Sequence, residues 1–142
     1  MFKHILIPTD GTELSKRTVR KGIEFARENG ARVTVLTCSL PLRAFGPAVA
    51  MDERRYVKAT KEIADECLQE AARFARAAGV EATLRHLYNE RPGEAIVETA
   101  AREACDLVYM ASSGKNGLEA LMLGSETRKV LAGTRLPVLV CR

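Results

Sequence analysis

Tryptophan is missing from this chain, and aromatic residues make up only 5% of it. A surface that stacks nucleic-acid bases is built from such rings, so no base-stacking platform is visible. An excess of one charge is also missing. The 22 basic and 18 acidic residues leave a net +4, which favours phosphate but is too small and scattered to mark a nucleic-acid surface. No apolar run is long enough to span a bilayer. After Phe2-Lys3-His4 the first apolar run stops at Pro8, so no secretory signal is read and the expected address is the cytoplasm. The four cysteines, Cys38, Cys67, Cys105 and Cys141, stand outside metal-ligand spacing. They read as small apolar residues in a reducing compartment.

Catalytic signatures are equally scarce. The first turn lacks G-x-G-x-x-G. A Walker A loop ending at Gly114-Lys115 would need glycine where Tyr109 stands and Ser or Thr where Asn116 stands. There is no G-x-S-x-G elbow. His4 opens the first strand and His86 sits inside the third, so neither is placed as a base, and no carboxylate pair is set for acid–base work. No catalytic residue and no protein metal site is assigned.

What is present is alternation. With 46% apolar and 28% charged residues, the 142 residues suffice for one globular domain over 1–142. Lys3 to Pro8 is a continuous apolar run, as expected of a parallel strand covered on both faces. Thr9-Asp10-Gly11-Thr12 is a turn in which Thr12 can cap a helix running to about Asn29, with Gly30 at its end. Arg32 to Cys38 is a second strand, and Ser39 to Met51 a long loop. Asp52 to Ala78 reads as a helix with Tyr56, Ile63, Cys67, Phe74 and Ala78 near its apolar stripe. Glu81 to Tyr88 is a third strand. Pro92 opens a helix whose Ile96, Ala100 and Ala104 face inward. Asp106 to Met110, Ser125 to Ala132 and Leu136 to Cys141 complete the pattern as strand, helix and strand. Alternating strands and helices predict an α/β fold: a five-stranded parallel sheet, order 3-2-1-4-5, with helices on both faces. The switch point then falls between the first and fourth strands, and Asp10 and Ala111 share its edge.

The stretch from Met110 to Thr127 gathers the chemistry. A strand ends at Met110 and Ala111, a loop of small residues follows through Ser112, Ser113, Gly114 and Gly117, and Gly124-Ser125-Glu126-Thr127 begins a helix. Backbone N–H groups at such a junction can point at phosphate oxygens. The plainer reading makes Ser125 an ordinary N-cap, Glu126 a complement to the helix dipole and Lys115 a solvated lysine. Asp10 likewise has two readings, a hydrogen-bond acceptor for a ribose hydroxyl or adenine amine, or the side chain of an Asx turn.

Ala111-x-x-Gly114, nine residues, then Gly124-Ser125 resembles the nucleotide-binding signature of the universal stress protein family, with Ala111 where that signature has its first glycine. Ile5-Leu-Ile-Pro-Thr-Asp-Gly11, Asp106-Leu-Val-Tyr-Met-Ala111 and Leu136-Pro-Val-Leu-Val140 extend the resemblance over nearly the whole chain. The resemblance implies ATP with Mg²⁺ as ligand. Pro8, Thr9, Asp10, Cys38 (through its backbone), Met110 and Ala111 would hold the nucleoside. Gly114, Gly124, Ser125, Glu126 and Thr127 would surround the phosphates. It also implies a homodimer through the last strand, whose exposed apolar edge asks to be paired, and stress-related regulation of an unidentified protein partner. Two alternatives stand beside this. One is a dimeric interaction protein with a vestigial pocket. The other is a slow ATPase or self-phosphorylating protein.

Overall fold

A computed structural model describes residues 1–49, 51–113 and 123–142. The elements run β1 (His4–Pro8), α1 (Glu13–Asn29), β2 (Arg32–Ser39), α2 (Glu53–Ala78), β3 (Ala82–Tyr88), α3 (Pro92–Arg102), β4 (Leu107–Ala111), α4 (Ser125–Gly133) and β5 (Val138–Cys141), with a 3-10 turn at Leu42–Phe45. The strands form one parallel sheet in the order β3-β2-β1-β4-β5. The α/β architecture and strand order are those expected from the sequence.

The unbroken apolar run of β1 has a simple cause. Side chains alternate across a strand, and each face has its own core. Ile5 and Ile7 join Val33, Val35 and Tyr109 on the face where α1 and α2 lie. Leu6 joins Leu36, Val108 and Met110 on the other face, against Ile96 of α3 and Val130 of α4. Ile5, Leu6 and Ile7 are all fully buried. At about 1.5–3 kcal/mol each for complete burial, these three residues anchor both layers.

Helix α1 approaches this core closely at Gly22. A Cβ there would come within 2.8 Å of Ile7 Cδ1 and 3.1 Å of a Tyr109 ring carbon, so glycine serves packing at this position. Its ends follow the sequence: the Thr12 hydroxyl accepts from Ser15 N, and Gly30 closes the helix at φ 66°. Asp52 and Gly79 do the same for α2.

Two packing expectations need correction. The buried stripe of α2 is Ala64, Leu68, Ala71 and Ala75, and Ile63 lies outside it at 66% exposure. Small alanines let α2 lie near the sheet, and counting only the large apolar residues displaced the stripe by one position. Ala104 does not face inward either. Helix α3 ends at Arg102, and Ala104 is exposed at φ 54°, in the left-handed region. That conformation costs a non-glycine residue roughly 1–2 kcal/mol. It turns the chain so that Cys105 N can donate to Ala100 O and Asp106 N to His4 O.

Candidate functional site

The C-terminal ends of the parallel strands share one edge, and helices leave β1 and β4 toward opposite faces, which makes this the switch point where folds of this kind hold ligands. The first wall is the turn after β1. Thr9 N continues the ladder to Leu36 O at 2.8 Å. Asp10 Oδ1 accepts from Thr12 N at 3.0 Å and from the Thr12 hydroxyl at 2.7 Å, so the Asx turn is formed. Its Oδ2 has no hydrogen-bond partner among the described residues and can accept from a ligand. Gly11, at φ 80°, supplies the left-handed step.

Beneath this turn lies a hydroxyl network that sequence reasoning did not find. Ser15 Oγ donates to Thr12 O at 3.1 Å, lies 3.0 Å from Thr9 Oγ1 and accepts from Asp10 N at 3.4 Å. Thr9 Oγ1 is in turn 3.7 Å from Cys67 Sγ. Ser15 follows the N-cap by three residues, a spacing that could have signalled it. Cys67 comes from α2, and no local pattern points to it. Burial raises the pKa of the Cys67 thiol, against the opposing hydrogen bond with Thr9. Cys38, at the end of β2, is likewise raised by burial, and its Sγ lies 3.8 Å from Asn89 O. Both are therefore thiols at neutral pH, and neither is an activated nucleophile. Nor is His86 solitary within β3: its Nε2 is 2.8 Å from Ser39 Oγ.

The second wall is built by β4 and α4. Met110, Ala111 and Ser112 are buried. Ser112 N donates to Cys141 O at 2.6 Å, and Gly124 N donates to Ser112 O at 2.8 Å. The Thr127 hydroxyl, at 2% exposure, is shared between Ala111 O at 3.1 Å and Ser112 O at 3.2 Å. These contacts pin the start of α4 to the end of β4. Gly114, Lys115 and Gly117 lie outside the described residues.

Three residues at the start of α4 differ from their sequence reading. The N-cap is Gly124, and Ser125 is the first helical residue, so Ser125 is not the cap. The Thr127 side chain is spent on the strand end, which leaves only its backbone for a ligand. The Glu126 carboxylate accepts from Gly93 N of α3 at 2.7 Å and from Lys129 Nζ at 3.1 Å. It therefore complements the dipole of the neighbouring helix as well as its own. Gly124 itself has an ordinary φ of −63°, but a Cβ would stand 3.1 Å from Ser113 Cα. Close approach of two backbones is reason enough for glycine there.

The outcome is a helix start without a side-chain cap. Thr12 caps α1, Asp52 caps α2 and Glu126 reaches the first turn of α3, while α4 has no side-chain cap bond. Among the described residues, nothing caps its first-turn N–H groups, the kind of donors that anions favour. The structure thus brings Pro8, Thr9, Asp10, Cys38, Met110, Ala111 and the backbone of residues 124–127 to one sheet edge.

These features define a class: a doubly wound parallel α/β fold whose switch point lies between β1 and β4, beside a helix N-terminus that has no side-chain cap among the described residues. The chain belongs to the universal stress protein family, whose model matches residues 1–142. It is 31% identical over 142 residues to a universal stress protein of Thermus aquaticus, covering all of both chains. It is 30% identical to universal stress protein MJ0531 of Methanocaldococcus jannaschii, covering all of this chain and 83% of the other. Solved structures share the fold. Hypothetical protein MJ0577 superposes with a TM-score of 0.85 at 26% identity, over 99% of this chain and 95% of that one. A universal stress protein from Archaeoglobus fulgidus, solved in complex with dAMP, superposes with a TM-score of 0.69 at 21% identity, over 100% and 98%. Among the described residues, no helix is long and apolar enough to cross a membrane.

Proposed function

We propose that this protein is an ATP-binding regulator of the stress response that acts in the cytoplasm as a single-domain homodimer, changing its hold on a protein partner with nucleotide occupancy. The observation that carries this reading is the uncapped start of α4 beside the end of β4. An open set of backbone donors at a helix N-terminus favours phosphate. The A-x-x-G…G-S spacing and the family membership support the same ligand, as does the dAMP complex of a protein with this fold. Asp10 Oδ2 would accept from the ribose or adenine, and the backbones of Cys38, Met110 and Ala111 would border the base. N–H groups of residues 125–127 would meet the phosphates, since Gly124 N is already spent on Ser112 O. Mg²⁺ would be held chiefly by phosphate oxygens. Among the described residues no group positions an attacking water, and binding without rapid turnover is the expectation.

The test is direct. The purified protein is denatured and the released nucleotide identified, and the nucleotide-free protein is then titrated with ATP and Mg²⁺. Saturable binding of one ATP per chain is expected. An absence of both released nucleotide and binding would favour the vestigial-pocket dimer.

A further inference from the structure

The connection from β2 to α2 carries a surface that the candidate site does not use. Among the described residues, nine large apolar side chains are exposed; four of these, Leu40, Phe45, Val49 and Met51, come from this connection, and Val57 follows in the first turns of α2. Tyr88, at the end of β3, adds a sixth. Internal contacts tie Leu40, Phe45 and Tyr56 together and Val57 to Tyr88. The Phe45 ring meets Tyr56 edge-on, with centroids 5.9 Å apart. The Tyr56 hydroxyl donates to Leu40 O, and the Tyr88 hydroxyl lies 2.8 Å from Thr60 Oγ1. Val57, Leu68, Leu84 and Tyr88, alternating with Gln69, His86 and the Lys61–Asp65 ion pair, line an open groove of about 470 Å³ between α2 and the free edge of β3. A linked apolar patch of this kind on a water-facing surface marks a docking site, and Tyr, Phe, Met and Arg are the residues such sites favour.

Charge selects the occupant. Residues 40–61 hold five basic and two acidic side chains, +3 of the chain's net +4. Asp52 is occupied in capping α2 through Arg54 N, and Arg43 pairs with Glu90. Exposed Arg54, Arg55 and Lys58 make no ion pair among the described residues. We propose that this face docks an acidic, amphipathic segment of a partner protein. Apolar anchors would enter the groove, and carboxylates would meet Arg54, Arg55 and Lys58. A second copy of the chain is disfavoured because like-charged patches repel. A flat anionic bilayer is disfavoured because Glu53, Glu62 and Glu90 stand among the bases and the patch runs into a groove with polar as well as apolar walls. The proposal rests on the partner-regulator reading for its purpose, while the docking itself does not require ATP.

The probe is a labelled helical peptide with Leu and Phe at i, i+3, i+4 and i+7 and Glu elsewhere, beside its twin with Lys for Glu. Each is titrated by fluorescence anisotropy into wild type, Phe45→Ser and Arg54→Glu/Arg55→Glu, with folding of the variants checked by circular dichroism. Saturable binding of the Glu peptide is expected, weakened by salt and at least about tenfold weaker in both variants, with no binding of the Lys peptide. No saturation, equal binding of both peptides, or variants that bind as wild type does would overturn the proposal. So would Phe45-dependent sedimentation with phosphatidylglycerol vesicles without peptide binding, or a fall in oligomeric mass on Phe45→Ser. An affinity unchanged by ATP would uphold the docking and count only against its control by nucleotide.

Discussion

His4 shows how one residue carries a pH dependence. Its Nε2 lies 2.7 Å from Thr34 Oγ1, and that hydroxyl donates to Glu103 Oε1 at 3.2 Å, so Nε2 must be the donor to Thr34. The other ring nitrogen, Nδ1, is buried and has no hydrogen-bond partner among the described residues. Burial first, and Arg32 second, lower the pKa of His4, against the opposing pull of Glu103 and Asp106. The unfolded chain therefore binds the proton more readily, and stability contributed by neutral His4 is lost as pH falls below the ordinary value of about 6.5. The melting temperature should drop between pH 7 and pH 5, and His4→Gln should flatten that drop. His86, also lowered by burial, would account for a remainder. An acid slope untouched by His4→Gln would contradict the assignment. Gly124 gives a second residue-scale expectation. Gly124→Ala should lose about 1 kcal/mol, because Ala is a poorer N-cap and its Cβ presses on Ser113, and thermal unfolding reads the loss. None of this was legible locally. The partners of His4 and Gly124 come from distant strands and loops, and sequence supplies only the residue types.

At the scale of elements, the test falls on β5. Its four apolar residues are only half-buried in the single chain, on the free edge of the sheet. Val108 N donates to Pro137 O and Ser112 N to Cys141 O. In a parallel ladder this turns the backbone groups of Val138 and Val140 away from β4, toward the open edge. Val140→Pro removes one outward N–H and leaves the β4 pairing in place. Light scattering should then report a dimer for wild type and a monomer for the variant; an unchanged mass would move the interface elsewhere. The elements themselves were largely readable, because their punctuation is chemical. Thr12, Gly30, Asp52, Gly79 and Pro92 mark helix ends by capping and backbone rules that act within a few residues. What could not be read was rotational phase and exit geometry. The inward face of α2 is made of alanines, and the turn at Ala104 uses a conformation its side chain does not advertise. The start of α4 was placed correctly, yet its cap was assigned to Ser125 because serine is the commoner choice.

The whole molecule sets two sheet edges to different tasks. The N-terminal edge is closed by His4, Thr34, Glu103 and Asp106, and the C-terminal edge carries the Asx turn at Asp10 and the uncapped α4. The candidate site was legible as a location because strand order alone fixes the switch point. The roles of Thr127 and Glu126 were not, since their side chains engage Ala111, Ser112 and Gly93. Calorimetric titration of ATP and Mg²⁺ into nucleotide-free wild type, Ala111→Gly and Gly124→Glu measures the central claim. Gly124→Glu puts bulk and negative charge at the start of α4, and its thermal melt is recorded alongside, because Ser113 is crowded by any side chain there. Wild type and Ala111→Gly should bind one ATP per chain with similar affinity, and a folded Gly124→Glu should not bind. Tight wild-type binding that survives in Gly124→Glu would contradict a phosphate site at this helix start.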